Sequence, residues 1–156
     1  MGKIESPTAR LHALGLELPA IPVPIANYLP AIRHHDLVFV SGHGSVGAGD
    51  EKFFGRVDSD FSLEQGQKAA RLAVLNCLAA LTSVAPLEDV RQILKLTGYV
   101  HSADGFTRQP EVLNGASDLL VEIFGEIGKH ARTAIGLRQT ARNFTVQLEM
   151  LVAVKE

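Results

Sequence analysis

A single cysteine in 156 residues leaves no partner for an intrachain disulfide. Cys77 lies within the apolar run LAVLNCLAAL, so a buried, inert thiol is expected there, not a nucleophile or ligand. Long hydrophobic runs are missing too. None approaches the roughly 20 residues that a membrane-spanning helix needs, and MGKIESPTARLHALGL lacks the apolar core of a secretory signal. Met1-Gly2 followed by Ser6 fits the bare myristoylation pattern, but no second membrane signal accompanies it. A cytoplasmic protein with no membrane partner is the expectation. There is no basic excess either: 15 Lys and Arg face 17 Asp and Glu, for a net charge of −2. Nucleic-acid affinity comes largely from neutralising phosphates, so no nucleic-acid partner is expected. Nucleotide and metal signatures are also wanting. Gly42, Gly44, Gly47 and Gly49 suggest a loose loop, but GHGSVGAG lacks the Lys-Ser/Thr ending of a phosphate loop. His34 and His35 are adjacent and would point opposite ways from a strand, with no ligand set at metal spacing. No cofactor or metal is expected.

What is present describes one globular domain. Hydrophobic residues make up 46% of the chain, and the length suffices to bury a core without staples. Ser6-Pro7 starts a short helix that Gly15 ends, an extension over residues 1–18 that must dock to persist. The main domain, 19–156, opens on PAIPVPIANYLP, whose prolines exclude helix and favour an extended path. A β-hairpin follows, with Ala31-Ile32-Arg33 and Leu37 to Gly42 flanking His34-His35-Asp36. Ser62-Leu63-Glu64-Gln65 is a capping box that opens a helix expected to reach Val84, apolar nearly all round from Leu72. Val90 to His101 alternates as a strand. A second long helix is expected from Gln109-Pro110 to Gly128, with Asn114 near its start.

The tail carries the most information. In FTVQLEMLVAVK, Phe144, Val146, Leu148, Met150, Val152 and Val154 fall on one face, and Thr145, Gln147 and Glu149 on the other. HARTAIGL precedes it as a strand, and a hairpin between the two would set Arg132 over that polar row. The order β-β-α-β-α-β-β predicts an α+β fold, a mixed sheet with two helices on one face. The opposite face would carry Thr97, Tyr99, Thr145 and Gln147 in apolar surroundings, which suits a symmetric homo-oligomer. One subunit's Arg132 would then meet another's Tyr28.

NYLPAIRHHDLVFVSGH, SLEQGQKAARLAVLNCLAAL, LTGYVHSADGFTRQPEVLNGASDLLVEIFGE, HARTAIGL and VQLEML together resemble the RidA (YjgF) family over nearly the whole chain. This family comprises enamine/imine deaminases formerly described as endoribonuclease L-PSP or translation inhibitors, and the chain looks like a divergent YjgF-like branch. The resemblance implies a chorismate-mutase-like fold and a homotrimer with sites in the clefts between subunits. By position, the family's carboxylate-clamping arginine falls on Arg132, its tyrosine on Tyr28 and its helix asparagine on Asn114. The serine-glycine pair lining the site falls on Ser41 and Gly42, with His43 where a glutamine is usual. Other positions depart from the pattern as well. Ala134 stands where many deaminases have cysteine, Gln147 where the water-orienting glutamate is expected, and Thr140-Ala141 where Leu-Pro is usual.

Hydrolysis of a 2-imino acid needs a grip on the carboxylate, polarisation of C=N and a placed water. An arginine fork provides the grip. Gln147 can orient a water but cannot take its proton, while Glu149 lies roughly 6.6 Å further along the strand. The plain alternative for Arg132 is an ion pair with Glu149 or a neighbour's carboxylate. The plain alternative for Tyr28 is a half-buried aromatic with a wet hydroxyl. Three functions follow: deamination of reactive 2-imino or enamine acids to 2-oxo acids and ammonia, non-catalytic binding of small carboxylates, and RNA cleavage or translation inhibition. The acidic balance argues against the third. Chorismate mutase activity would rest on fold analogy alone.

Overall fold

In a computed structural model that describes residues 6–47 and 51–156, the capping box does what its residues dictate. The Ser62 hydroxyl accepts from the Gln65 backbone N–H, and the Gln65 side chain accepts from the Ser62 N–H. The helix so opened, α2 (Leu63–Leu81), buries Ala69, Ala70, Ala73, Val74, Cys77 and Leu78 completely. It ends three residues short of the expected Val84. The last turn breaks up because the Thr82 and Ser83 hydroxyls bond back to the Ala79 and Ala80 carbonyls. The second long helix, α3 (Gln109–Phe124), also stops early, at Gly125 with φ 65°, and a 3-10 turn carries the chain on to Gly128. Gly115 lets α2 and α3 cross closely: a Cβ there would lie 2.2 Å from the Gln67 carbonyl oxygen. The N-terminal helix, α1 (Pro7–Ala13), is capped by Ser6 and docks through Leu11, which is 2% exposed.

Both long helices lie on one side of a five-stranded mixed sheet, so the fold is α+β as expected. The strands are β1 (Ala31–His34), β2 (Leu37–Gly44), β3 (Val90–His101), β4 (Ala131–Leu137) and β5 (Val146–Val154), in the order β1-β2-β5-β3-β4. The predicted hairpin of β1 and β2 is present, turning at His35 with φ 55°. Gly42 and Gly44 lie within β2 instead of a loop. A register shift between Val40 and His43 marks a bulge at Ser41-Gly42. The Phe144 ring lies so close over Gly44 that a Cβ there would come within 2.5 Å of it. Gly49 and the Met1-Gly2 pattern lie outside the described residues.

The expected hairpin of β4 and β5 does not form. β4 pairs in parallel with β3, joined to it by the α3 crossover, and β5 runs antiparallel between β2 and β3. The physical reason lies in β5. Its apolar row, Val146 to Val154, is 0–4% exposed under the helices, and a strand this buried gains most with a hydrogen-bonded neighbour on each edge. β4, whose residues are all half-buried or exposed, takes the edge instead. Thr145 also departs from expectation. It precedes β5, is fully buried, and donates its hydroxyl to the Gly55 carbonyl, so it is not part of a polar row.

Candidate ligand-binding site

The register decides where each candidate points. Arg132 pairs with Leu96, which pairs with Met150, so Arg132 shares the face that lies under the helices. Thr97 pairs with Glu149 and Tyr99 with Gln147, on the opposite, helix-free face. Arg132 therefore does not look onto the polar row. Instead its Nη1 donates to Asn114 Oδ1 and to Ser117 Oγ on α3, both at 3.0 Å. The ion pair with Glu149 is absent, and among the described residues no carboxylate lies within salt-bridge distance of Arg132. A half-buried guanidinium is thus held by one nitrogen through neutral acceptors, and among the described residues the rest of its fork is uncommitted.

Behind it stands a short relay that the sequence reading missed. Ser117 Oγ is 3.0 Å from His130 Nε2, and His130 Nδ1 is 2.7 Å from the Gly128 carbonyl. A carbonyl so near Nδ1 assigns the proton to that nitrogen, which leaves Nε2 to accept from the serine hydroxyl. Burial lowers the His130 pKa below its ordinary value; the Gly128 bond opposes this, and the Arg132 charge adds to it. The signal was present in the sequence. Ser117 is three residues after Asn114 on one helix face, and His130 sits two residues before Arg132.

Tyr28, Gly42 and Gln147 meet elsewhere, in a recess of about 640 Å³ between the proline-rich strap and the end of β2. Tyr28 is 51% exposed at its mouth. The bulge exposes Gly42 and turns His43 inward, 3.3 Å from the Pro30 carbonyl, where burial lowers its pKa. Ser41 donates its hydroxyl to the Leu29 carbonyl at 2.6 Å, which ties the strap to the sheet. Ser41 and Glu149 share a separate, smaller recess on the helix-free face. There Glu149 accepts from the Tyr99 hydroxyl at 3.2 Å. One chain thus sorts the candidates into three places: Arg132 with Asn114, Tyr28 with Gly42 and Gln147, and Ser41 with Glu149. The described residues include no cluster of three metal-ligating side chains, and no helix long and apolar enough to cross a membrane.

A family model described as "YjgF/chorismate_mutase-like, putative endoribonuclease" matches residues 8–149. The chain belongs to this YjgF/chorismate mutase-like family. A curated relative, Protein TCP17 of Trypanosoma cruzi, is 34% identical over 146 residues, covering 92% of this chain and 91% of that protein. Among solved structures, Atu1372 of Agrobacterium tumefaciens is 34% identical with a TM-score of 0.86, covering 94% of this chain and 91% of that one. A Shewanella oneidensis protein whose structure carries the same endoribonuclease description is 32% identical, with a TM-score of 0.91, covering 96% of this chain and all of that one (100%). The YjgF-family assignment accounts for the strand order and for the two helices on one face. Within that fold, Ala134 follows Arg132 on the same face of β4, where its methyl can neither attack nor ligate.

Proposed function

We propose that this YjgF-family chain binds small 2-imino or 2-oxo acids through Arg132 and hydrolyses the imines to 2-oxo acids and ammonia. The observation that carries this reading is the state of Arg132: a half-buried cation with two neutral acceptors on one nitrogen and no carboxylate partner among the described residues. A planar fork left open in that way matches a carboxylate ligand bidentately. Asn114, Ser117 and His130 fix its orientation, which lowers the cost of ordering it when the ligand arrives.

A homotrimer completes the site in this reading. Ile32 and Phe39 stand 54% and 47% exposed next to the helix-free recess, apolar surface that a second copy would cover. Arg132 of one copy would then face Tyr28 and Gln147 of the next. Arg132 grips the carboxylate, the cleft excludes bulk water, and Gln147 orients the attacking water by hydrogen bonding. The protons of that water pass to the imine nitrogen, which departs as ammonia when the C–N bond breaks, because an amide side chain accepts none.

A second reading, a non-catalytic carboxylate binder, is favoured by the same register. The chain's own Glu149 lies on the opposite face from Arg132, bonded to Tyr99, so it supplies no base beside the grip. RNA cleavage gains no support from a net charge of −2. The deciding experiment generates a 2-imino acid in situ with an amino-acid oxidase and follows 2-oxo acid release with wild type, Arg132→Ala and Gln147→Glu. Acceleration by wild type that Arg132→Ala abolishes supports catalysis. Thermal protection by 2-oxo acids through Arg132 with no acceleration supports the binder, and neither effect sinks both.

A further inference from the structure

The strap recess holds more space and a different chemistry than a carboxylate grip requires. Its volume of about 640 Å³ lies within the roughly 300–1,000 Å³ typical of pockets that enclose drug-sized ligands. Val23 and Ile25 on the strap, 85% and 72% exposed, and Val46 and Phe144 on the body give it apolar walls. Among the described residues, no Asp or Glu lines it. Among the same described residues, Arg142 is its one arginine or lysine, and it makes no ion pair.

Two further features mark the recess as built. Arg142 and Asn143 are consecutive non-glycine residues with φ of 55° and 62°, a left-handed turn that costs on the order of 1–2 kcal/mol per residue. That turn sets Arg142 in the wall beside Phe144. The strap carries prolines at 19, 22, 24 and 30, bends at residues 25–28, and among the described residues no backbone hydrogen bond joins 19–27 to the body. The strap wall can therefore shift to fit what enters.

We infer that the strap recess receives the side chain of the bound acid, and that this side chain is large and apolar, aromatic or branched aliphatic. The inference rests on the proposed grip by Arg132 of a neighbouring copy. None of the described lining residues is a carboxylate that would attract a cationic side chain. The apolar walls disfavour an acidic one, which would lose water for a single exposed arginine. An aromatic ring suits the wall that carries both the Phe144 ring and the Arg142 guanidinium.

The test titrates the full chain calorimetrically with pyruvate, phenylpyruvate, 4-methyl-2-oxopentanoate and 2-oxoglutarate, stable stand-ins for the imines. Methyl resonances of Val23, Ile25 and Val46 are followed in parallel. Expected is a preference of about tenfold or more for the two bulky apolar acids over pyruvate, a gap that Ile25→Asp closes. Those methyls should shift with phenylpyruvate and stay still with pyruvate. Equal affinity for all four acids, or tightest binding of 2-oxoglutarate, overturns the side-chain inference while binding lost in Arg132→Ala leaves the grip standing. If no acid binds, the grip fails, and 4-phenyl-2-butanone, which has no carboxylate, decides the recess. Shifts of the three methyls with that ketone uphold an apolar pocket; their absence overturns it.

Discussion

Ser117→Ala removes one oxygen and breaks two hydrogen bonds. Ser117 Oγ accepts from Arg132 Nη1 and donates to His130 Nε2, each at 3.0 Å. Alanine leaves Arg132 with Asn114 alone and His130 Nε2 without a partner. Hydrogen bonds to charged groups contribute about 1.5–3 kcal/mol and neutral ones about 0.5–1.5 kcal/mol, and water replaces part of this at half-buried sites. A net loss of about 1–2 kcal/mol follows, and for a domain of this size each kcal/mol lowers Tm by about 2–4 °C. Melting should therefore drop by about 2–8 °C, read by calorimetry or circular dichroism. The ligand should also suffer. A guanidinium that must be ordered at binding costs about 0.5–1.5 kcal/mol, so 2-oxo acid affinity should fall about two- to tenfold. Asn114→Ala, alone and combined with Ser117→Ala, measures whether the two acceptors act together. Unchanged melting and unchanged affinity in Ser117→Ala would refute the claim that Ser117 positions Arg132.

Acid should destabilise the protein before its carboxylates titrate. His43 and His130 both have folded pKa values lowered chiefly by burial, so the unfolded chain binds more protons than the folded one as pH falls below about 6.5. Their contribution is complete above that pH and lost progressively below it; melting temperature should decline from about pH 7.5 to 5.5 with a shallower slope in His130→Asn, and a rise toward acid would contradict the burial of both rings. Gly115→Ala should lower stability by about 1–3 kcal/mol in urea titrations, because its Cβ would meet the Gln67 backbone and neither helix can move alone. An unchanged urea midpoint would show that α2 and α3 pack less tightly than their crossing indicates.

The elements were legible because their signals are local. Ser62 and Gln65 announce the start of α2, Val90 to His101 alternate, and Ser6-Pro7 opens α1, all within a few residues of chain. Pairing is not local. The sequence of β4 and β5 shows two successive strands and a polar break, which a hairpin satisfies as well as the observed crossover does. What separates the two is the demand of β5 for a neighbour on each edge, and that demand exists only once α2 and α3 cover its apolar row. The glycines of β2 misled for a related reason. Read alone, Gly42 and Gly44 favour a loop, yet β5 pairs across the bulge, and Phe144 needs the missing side chain at Gly44.

Arg132 was found by position and misplaced by topology, and its misplacement is informative. An arginine on the helix face of an edge strand has two ordinary fates: pairing with a carboxylate in its own chain, or snorkelling to water with its stem packed. Here neither describes it fully. Asn114 and Ser117 meet it from α3, at i and i+3 on one face, and both present neutral oxygens where an acidic residue would have neutralised it. Asp118 and Glu111 lie on the same helix, yet Glu111 is taken by Arg108 and Asp118 makes no salt bridge among the described residues. A charge held in place but not neutralised keeps its attraction for an incoming anion, and a preset geometry spares that anion the cost of ordering the fork. The same register that removes Glu149 from Arg132 therefore strengthens the case for binding. It also moves the catalytic question to what a second copy brings opposite the guanidinium, where Gln147 and Tyr28 are this chain's candidates.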